Sequence, residues 1–267
     1  MKKFIESFIN VWKIEELKNK ILVTLGILLV YRFGSQVTLP GIDSTKLQSL
    51  SNQTEGGIGW LINVFTGGAF SEASIFALGI MPYISASIVV QLMGIAIPYL
   101  QKLQKDGESG RKTLNQITRW LTIAITLVQG PGYIFNLKQT LPAEAFVNPD
   151  FFTFFPLFGS VLIIVSGTIF AMWLGERITE KGIGNGVSLL ITVGILSRLP
   201  GAFFAEFGKS VEAGNLIRLV LEVVFFMLII LVTILIVQGV RRIPLNTAKR
   251  IAGARAAEDI NGARNYL

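Results

Sequence analysis

Long apolar stretches separated by short polar ones set the pattern of this chain. Six stretches of 18 or more residues carry few charges, over about 21–39, 75–99, 116–136, 152–174, 183–201 and 216–240. Each is long enough for a helix to cross roughly 30 Å of hydrocarbon at about 1.5 Å per residue. Charge, Pro or Gly bounds every one of them, and the fifth, which is Gly-rich, is the weakest. A seventh apolar patch, Gly56 to Phe70, is about 15 residues long and is broken by Gly56, Gly57, Gly59, Gly67 and Gly68, so it is too short to cross. A half-inserted segment is tolerated only where protein or a water-filled cavity surrounds it, so the patch points to a cavity, with an interfacial helix as the alternative. Ahead of the first span, Phe4, Ile5, Phe8, Ile9 and Trp12 recur at helical spacing between charges. They predict an amphipathic helix over 1–20 in the cytoplasmic interface, without the apolar core and cleavage site of a secretory signal.

Composition agrees with a bilayer protein. Of 267 residues, 51% are hydrophobic and 15% charged, against about 25% charged in a typical soluble domain. Cys and His are both absent, which removes disulfides, thiol nucleophiles, Cys/His zinc sites and imidazole acid–base chemistry. No catalytic residue, metal or cofactor is expected. The net charge of +7 is spread unevenly. Lys2, Lys3, Lys13, Lys18 and Lys20 precede the first span; Lys102, Lys105, Arg111, Lys112, Arg177 and Lys181 fill two further loops; and Arg241, Arg242, Lys249, Arg250, Arg255 and Arg264 lie in the tail. The alternate loops hold only Lys46, Lys138 and Lys209, which makes 17 basic residues against 3. The positive-inside rule therefore places both ends of the chain in the cytoplasm, which requires an even number of crossings and fits six.

Within the second span Ile80, Ile84 and Ile88 form a stripe at every fourth residue, accompanied by Gly79, Pro82, Ser85, Ser87 and Gln91. Isoleucines at that spacing commonly face lipid or a neighbouring helix, whereas small and polar groups favour a face turned toward protein or water. Gly182, Gly184 and Gly186 lie in the run GERITEKGIGNGVS. No strand precedes them, so they read as a tight cytoplasmic turn rather than a nucleotide loop, with Val187 and Ile191 one helical turn apart just beyond. Arg32, Arg119, Arg198, Arg218 and Glu222 lie within or beside the spans, but toward their ends, where long side chains snorkel to the interface. Anchoring is their expected role. The tail from Arg241 to Leu267 nets +4; such a block fixes topology, touches anionic lipid or docks an acidic partner such as ribosomal RNA.

The runs PGID (40–43), FTGGAFSEASIFALGIMPYISASIVVQL (65–92), KDGESGRK (105–112) and MWLGERITEKGIGNGVS (172–188) resemble the bacterial SecY family, and the Arg241–Arg242 pair with IP and AKR (241–250) extends the match. The resemblance implies an all-α polytopic membrane protein. It would have six transmembrane helices and a half-inserted plug helix at about 57–72, forming one half of a pseudo-symmetric ten-helix channel that stops in the loop before a seventh span. It implies a channel subunit that passes secretory polypeptides across the bacterial inner (plasma) membrane and releases membrane helices sideways. Ile80, Ile84, Val187 and Ile191 match pore-ring positions, and Ile58, Trp60, Leu61, Val64 and Phe65 fall in the plug. Ser85, Ser87, Gln91 and Gln129 are implied lateral-gate contacts. Lys102, Lys105, Arg111, Lys112, Arg241, Arg242, Lys249, Arg250 and Arg255 are implied docking positions for the ribosome and the SecA motor ATPase. Gly253, Ala254 and Arg255 stand where many relatives have a glycine and two arginines, and Thr247 where a tyrosine is usual. Further implied partners are SecE- and SecG-type small subunits, nascent or signal-bearing polypeptides and the lipid bilayer. Composition and topology alone equally allow a six-span small-molecule transporter or channel half, which would gather polar or charged groups near the midplane.

Overall fold

The computed structural model describes residues 13–47, 57–147, 150–212 and 214–239. Most of the expected amphipathic helix at 1–20 and the basic tail at 241–267 lie outside the described residues. Among these residues the fold is all-α, with two single-turn 3₁₀ segments and two isolated β-bridges, Thr38 with Ser74 and Ile42 with Phe146. The helices are α1 (Glu15–Gly34), α2 (Gly57–Phe65), α3 (Met81–Ala96), α4 (Pro98–Lys105), α5 (Gly107–Thr140), α6 (Phe154–Lys181), α7 (Gly186–Glu212) and α8 (Leu216–Gln238). The chain divides after Ala202 into two compact units.

In the first unit α6 is the central helix. It buries residues along most of its length, from Ser160 to Ile178, and packs against α1, α3 and α5. Small residues permit this closeness: a Cβ at Gly167 would strike the carbonyl of Ile75, and one at Gly175 would lie 3.0 Å from Cγ2 of Val187. Helices in lipid gain stability from such close approach rather than from a hydrophobic drive. One core cluster joins Leu39, Ile42, Phe70, Tyr133, Ile134, Leu137, Phe151 and Ile164. A second joins Tyr31, Phe76, Ile80, Ala171, Leu174, Ile178 and Leu190. On the face of α5 that packs inward, Thr118, Thr122 and Thr126 are buried, and each donates its hydroxyl to the carbonyl four residues back, at 2.9, 2.7 and 2.7 Å. That bond removes the cost of burying a hydroxyl.

Several spans differ from their sequence boundaries, each for a local reason. The first helix ends at Gly34 rather than near residue 39, because the chain there turns to pair with another segment. The N–H of Leu39 donates to the Ala73 carbonyl at 2.8 Å, and that of Ile75 donates to the Val37 carbonyl at 2.9 Å. The second span is not one helix over 75–99. Residues 66–80 form a compact run of turns, and α3 starts only at Met81, where Pro82 occupies the first turn that proline tolerates. Gly67, Gly68 and Gly79 have φ of +63°, +99° and +53°, and Ala73 has +43°, so helix cannot pass through them. At the far end, Pro98 breaks the helix and α4 leaves α3 at 102°.

By length and apolarity α6, α7 and α8 can each cross a membrane, and the bent α3/α4 pair makes a fourth. Helices α1 and α5, of 20 and 34 residues, are long enough but begin in charged turns, with Glu15 and Glu16 in one and Glu108 in the other. In the second unit α8 is apolar on all sides, with side chains such as Ile217, Leu221, Phe225 and Val237 exposed. A helix greasy all round requires lipid or a protein neighbour.

Candidate functional site

The start of α7 is built by the glycine run. Gly184 takes φ +71°, and Gly186 lies so close to α6 that a Cβ would meet the Gly175 carbonyl. The N–H of Gly186 donates to Thr179 Oγ1 at 2.9 Å, the N–H of Ser188 donates to Asn185 Oδ1 at 3.1 Å, and Thr24 of α1 accepts from the N–H of Ile183 at 3.1 Å. These bonds hold the turn expected from the sequence against two helices and set the direction in which Val187 and Ile191 project.

That direction is toward α3. Ile84, Ser87, Ile88 and Gln91 of α3 line an open cavity of about 490 Å3 together with Val187, Ser188 and Ile191 of α7. Three of the four residues singled out for a ring, Ile84, Val187 and Ile191, therefore share one cavity. Ile80 does not join them. It precedes α3 and is 4% exposed in the second core cluster, beside Tyr31, Phe76 and Leu190. The opposite wall is polar: Arg119 of α5 donates Nε and Nη2 to the two carboxylate oxygens of Glu176 on α6, at 3.1 and 2.6 Å. The fork geometry of guanidinium on carboxylate fixes both side chains on the cavity wall. On the α3 wall, Gln91 Nε2 donates to Ser87 Oγ at 3.1 Å.

The four gate residues separate by helix face. Ser87 and Gln91 face the first cavity, whereas Ser85 lies on the other side of α3, since residues two apart on a helix do not share a face. There Ser85 meets Gln129 and Asn136 of α5 and Ile62 of α2 around a second cavity of about 500 Å3. Tyr133 backs it, donating its hydroxyl to the Phe70 carbonyl at 2.8 Å. Ile58, Trp60, Leu61, Val64 and Phe65 all fall within the nine-residue α2; Leu61 is 48% and Phe65 39% exposed. Lys102 and Lys105 on α4 and Arg111 and Lys112 on α5 are exposed around a tight hairpin in which Gly110 sits against the Leu103 carbonyl. Arg241, Arg242, Lys249, Arg250 and Arg255 lie outside the described residues. Arg32 and Arg198 have partners that the sequence did not show: Arg32 donates to the Gly67 carbonyl at 2.9 Å and Arg198 to Ser71 Oγ at 3.0 Å. Their partners lie 35 and 127 positions away, and no spacing in the sequence signals such contacts.

Comparison with known proteins decides the family. The family model SecY matches residues 74–267. This chain belongs to the SecY family. It is 43% identical to protein translocase subunit SecY of Buchnera aphidicola subsp. Acyrthosiphon kondoi, over 90% of this chain and 67% of that protein. It is 45% identical to the SecY of Escherichia coli K12 over 90% of this chain and 54% of that one, and 40% identical to the SecY of Corynebacterium glutamicum over 98% and 59%. The chain thus spans about half to two thirds of the length of these SecY relatives. Two solved structures share the fold at 20% identity, each matching 94% of this chain and 52% of the other. One, at TM-score 0.54, is described as a protein conducting channel. The other, at TM-score 0.61, is described as a SecY protein whose plug domain stabilises the closed state. With its SecY membership and its apolar helices, the chain is a multi-pass membrane protein.

Proposed function

We propose that this chain is the N-terminal part of a protein-conducting channel subunit, which passes secretory polypeptides through the bilayer and releases membrane helices sideways. The observation that carries the reading is the convergence of Ile84, Val187 and Ile191, from two helices, on one open cavity. Branched apolar side chains surround an extended polypeptide without offering it or water a hydrogen bond, so a constriction made of them dewets and resists ion leak. In this reading α2 is the plug, and spans beyond this chain complete the ring. Helices α3 and α5 form one side of the lateral gate, with Ser87 and Gln91 on one flank and Ser85 and Gln129 on the other.

The exposed Lys102, Lys105, Arg111 and Lys112 receive SecA or the ribosome, whose phosphates and carboxylates attract them without reading sequence. The tail arginines add to the same surface. SecE- and SecG-type subunits cover apolar faces such as that of α8. The protein works in the bacterial inner membrane with six spans and both ends of this chain in the cytoplasm, as the charge asymmetry requires. Membership of a family of translocase subunits favours this reading over a small-molecule transporter.

The test is site-specific photocrosslinking in the full-length protein. A stalled secretory chain should crosslink to a probe at Ile84 or Ile191 and not at Trp120, which is 73% exposed on α5. Crosslinks at Trp120 equal to those at the isoleucines would overturn the assignment.

A further inference from the structure

The segment that follows α2 is held far more firmly than α2 itself. Residues 66–71 are all buried, whereas α2 leaves Leu61 and Phe65 partly open. Gly67 lies directly against α7, where a Cβ on it would stand 2.7 Å from the Cα of Gly194. Two cations from opposite ends of the chain close over this segment. Arg32 Nη1 on α1 donates to the Gly67 carbonyl at 2.9 Å and to Ser35 Oγ at 3.4 Å, while Arg198 Nη2 on α7 donates to Ser71 Oγ at 3.0 Å. The Ser71 hydroxyl passes the connection on by donating to the Gly68 carbonyl at 3.0 Å, and its N–H donates to Asn63 Oδ1, on α2, at 3.1 Å. With Glu72 the two arginines border a recess of about 240 Å3.

We propose that Arg32 and Arg198 are positioning residues that bolt the Gly67–Ser71 segment to α1 and α7 and thereby hold α2 in its seated position. Charge-assisted bonds in a part-buried setting are the strong ones, and here they end on the backbone and side chains nearest the C-terminus of α2. The left-handed glycines at 67 and 68 turn the chain sharply beside Phe65, so α2 joins the clamped segment directly at a bend. The inference rests on the reading of α2 as the plug, and it adds the residues that set the closed position.

The chain has no cysteine, so a single thiol at Ile62, half-buried against the core, reports on the seating of α2. In the full-length channel, freed of other cysteines and held in nanodiscs, maleimide labelling of Ile62→Cys should rise when Arg198→Gln, Arg32→Gln or the milder Ser71→Ala is added. The rise should reach about tenfold or more, the factor that one charge-assisted hydrogen bond carries. Arg198→Lys should restore part of the protection. Labelling of Ala145→Cys, fully buried elsewhere in the core, should stay slow in every background. An unchanged rate at Ile62 in all three variants, or a parallel rise at Ala145, would overturn the proposal. Labelling reads the seat of α2 without requiring conduction. Faster labelling with unchanged ion conductance would therefore keep the clamp and remove the seal, whereas unchanged labelling removes the clamp alone.

Discussion

Ile80 and Ile84 are separated by one helical turn in the sequence, yet one is sealed in the core and the other lines an open cavity. The difference sets opposite expectations. Replacing Ile84 by Gly should raise the ion conductance of the complete channel in planar bilayers, with a stability loss of about 1 kcal/mol or more from a glycine inside α3 and the lost packing of a part-buried side chain. Replacing Ile80 by Ala should act chiefly on stability, at a cost of about 2–5 kcal/mol for a buried branched side chain, measurable as a fall in Tm. Equal conductance changes from both would argue against the division. The Arg119–Glu176 pair is half-open to the cavity, so a double-mutant cycle should give a coupling of about 1 kcal/mol or less that shrinks as salt rises. Outside the spans, the Asp43 carboxylate accepts from the Thr45 hydroxyl and N–H at 2.7 and 3.0 Å, which hold it below the usual aspartate range. Its contribution to the 44–46 turn is present above the ordinary aspartate pKa and is lost as pH falls through the lowered one. A carboxyl NMR titration should show that lowered midpoint, and Thr45→Ala should move it back up.

Helices α3 and α4 are read from the sequence as the end of one span and a basic loop, but they form a corner. The span read over 75–99 runs through Pro98, where the helix breaks; the 102° turn depends on Gly94 and Gly110, which leave room for Gln104 and for the Leu103 carbonyl. The corner gathers Lys102, Lys105, Arg111 and Lys112 into one hairpin. Reversing these four charges should weaken binding to SecA or ribosomes in a co-sedimentation assay, and the loss should grow as salt is lowered. Affinity that is equal at low salt would remove the hairpin from the docking surface. The long α5 was legible as a span because the stretch 116–136 carries a single charge, Arg119. Its start at Gly107 was less visible, since the charged turns before residue 116 read as loop when only the apolar window is scored.

Across the whole molecule, hydropathy and charge asymmetry carry most of what the sequence holds. Apolar runs of about 20 residues leave few choices in a bilayer, where every backbone group must find a partner within the helix, so the all-α class and the approximate spans follow from the pattern alone. The resemblance in the runs at 65–92 and 172–188 added the family, and with it the residues to inspect at the cavity. Sequence could not place Arg32 and Arg198 on the 67–71 segment or separate Ile80 from Ile84. Each of those outcomes depends on a side chain meeting a partner many residues away, and on positive-φ positions at Gly67, Gly68, Ala73 and Gly79 that end one periodicity before the next begins. Periodicity records which faces avoid water. Only packing of the helices decides which of those faces meets the core, which meets the bilayer, and which is left lining a passage.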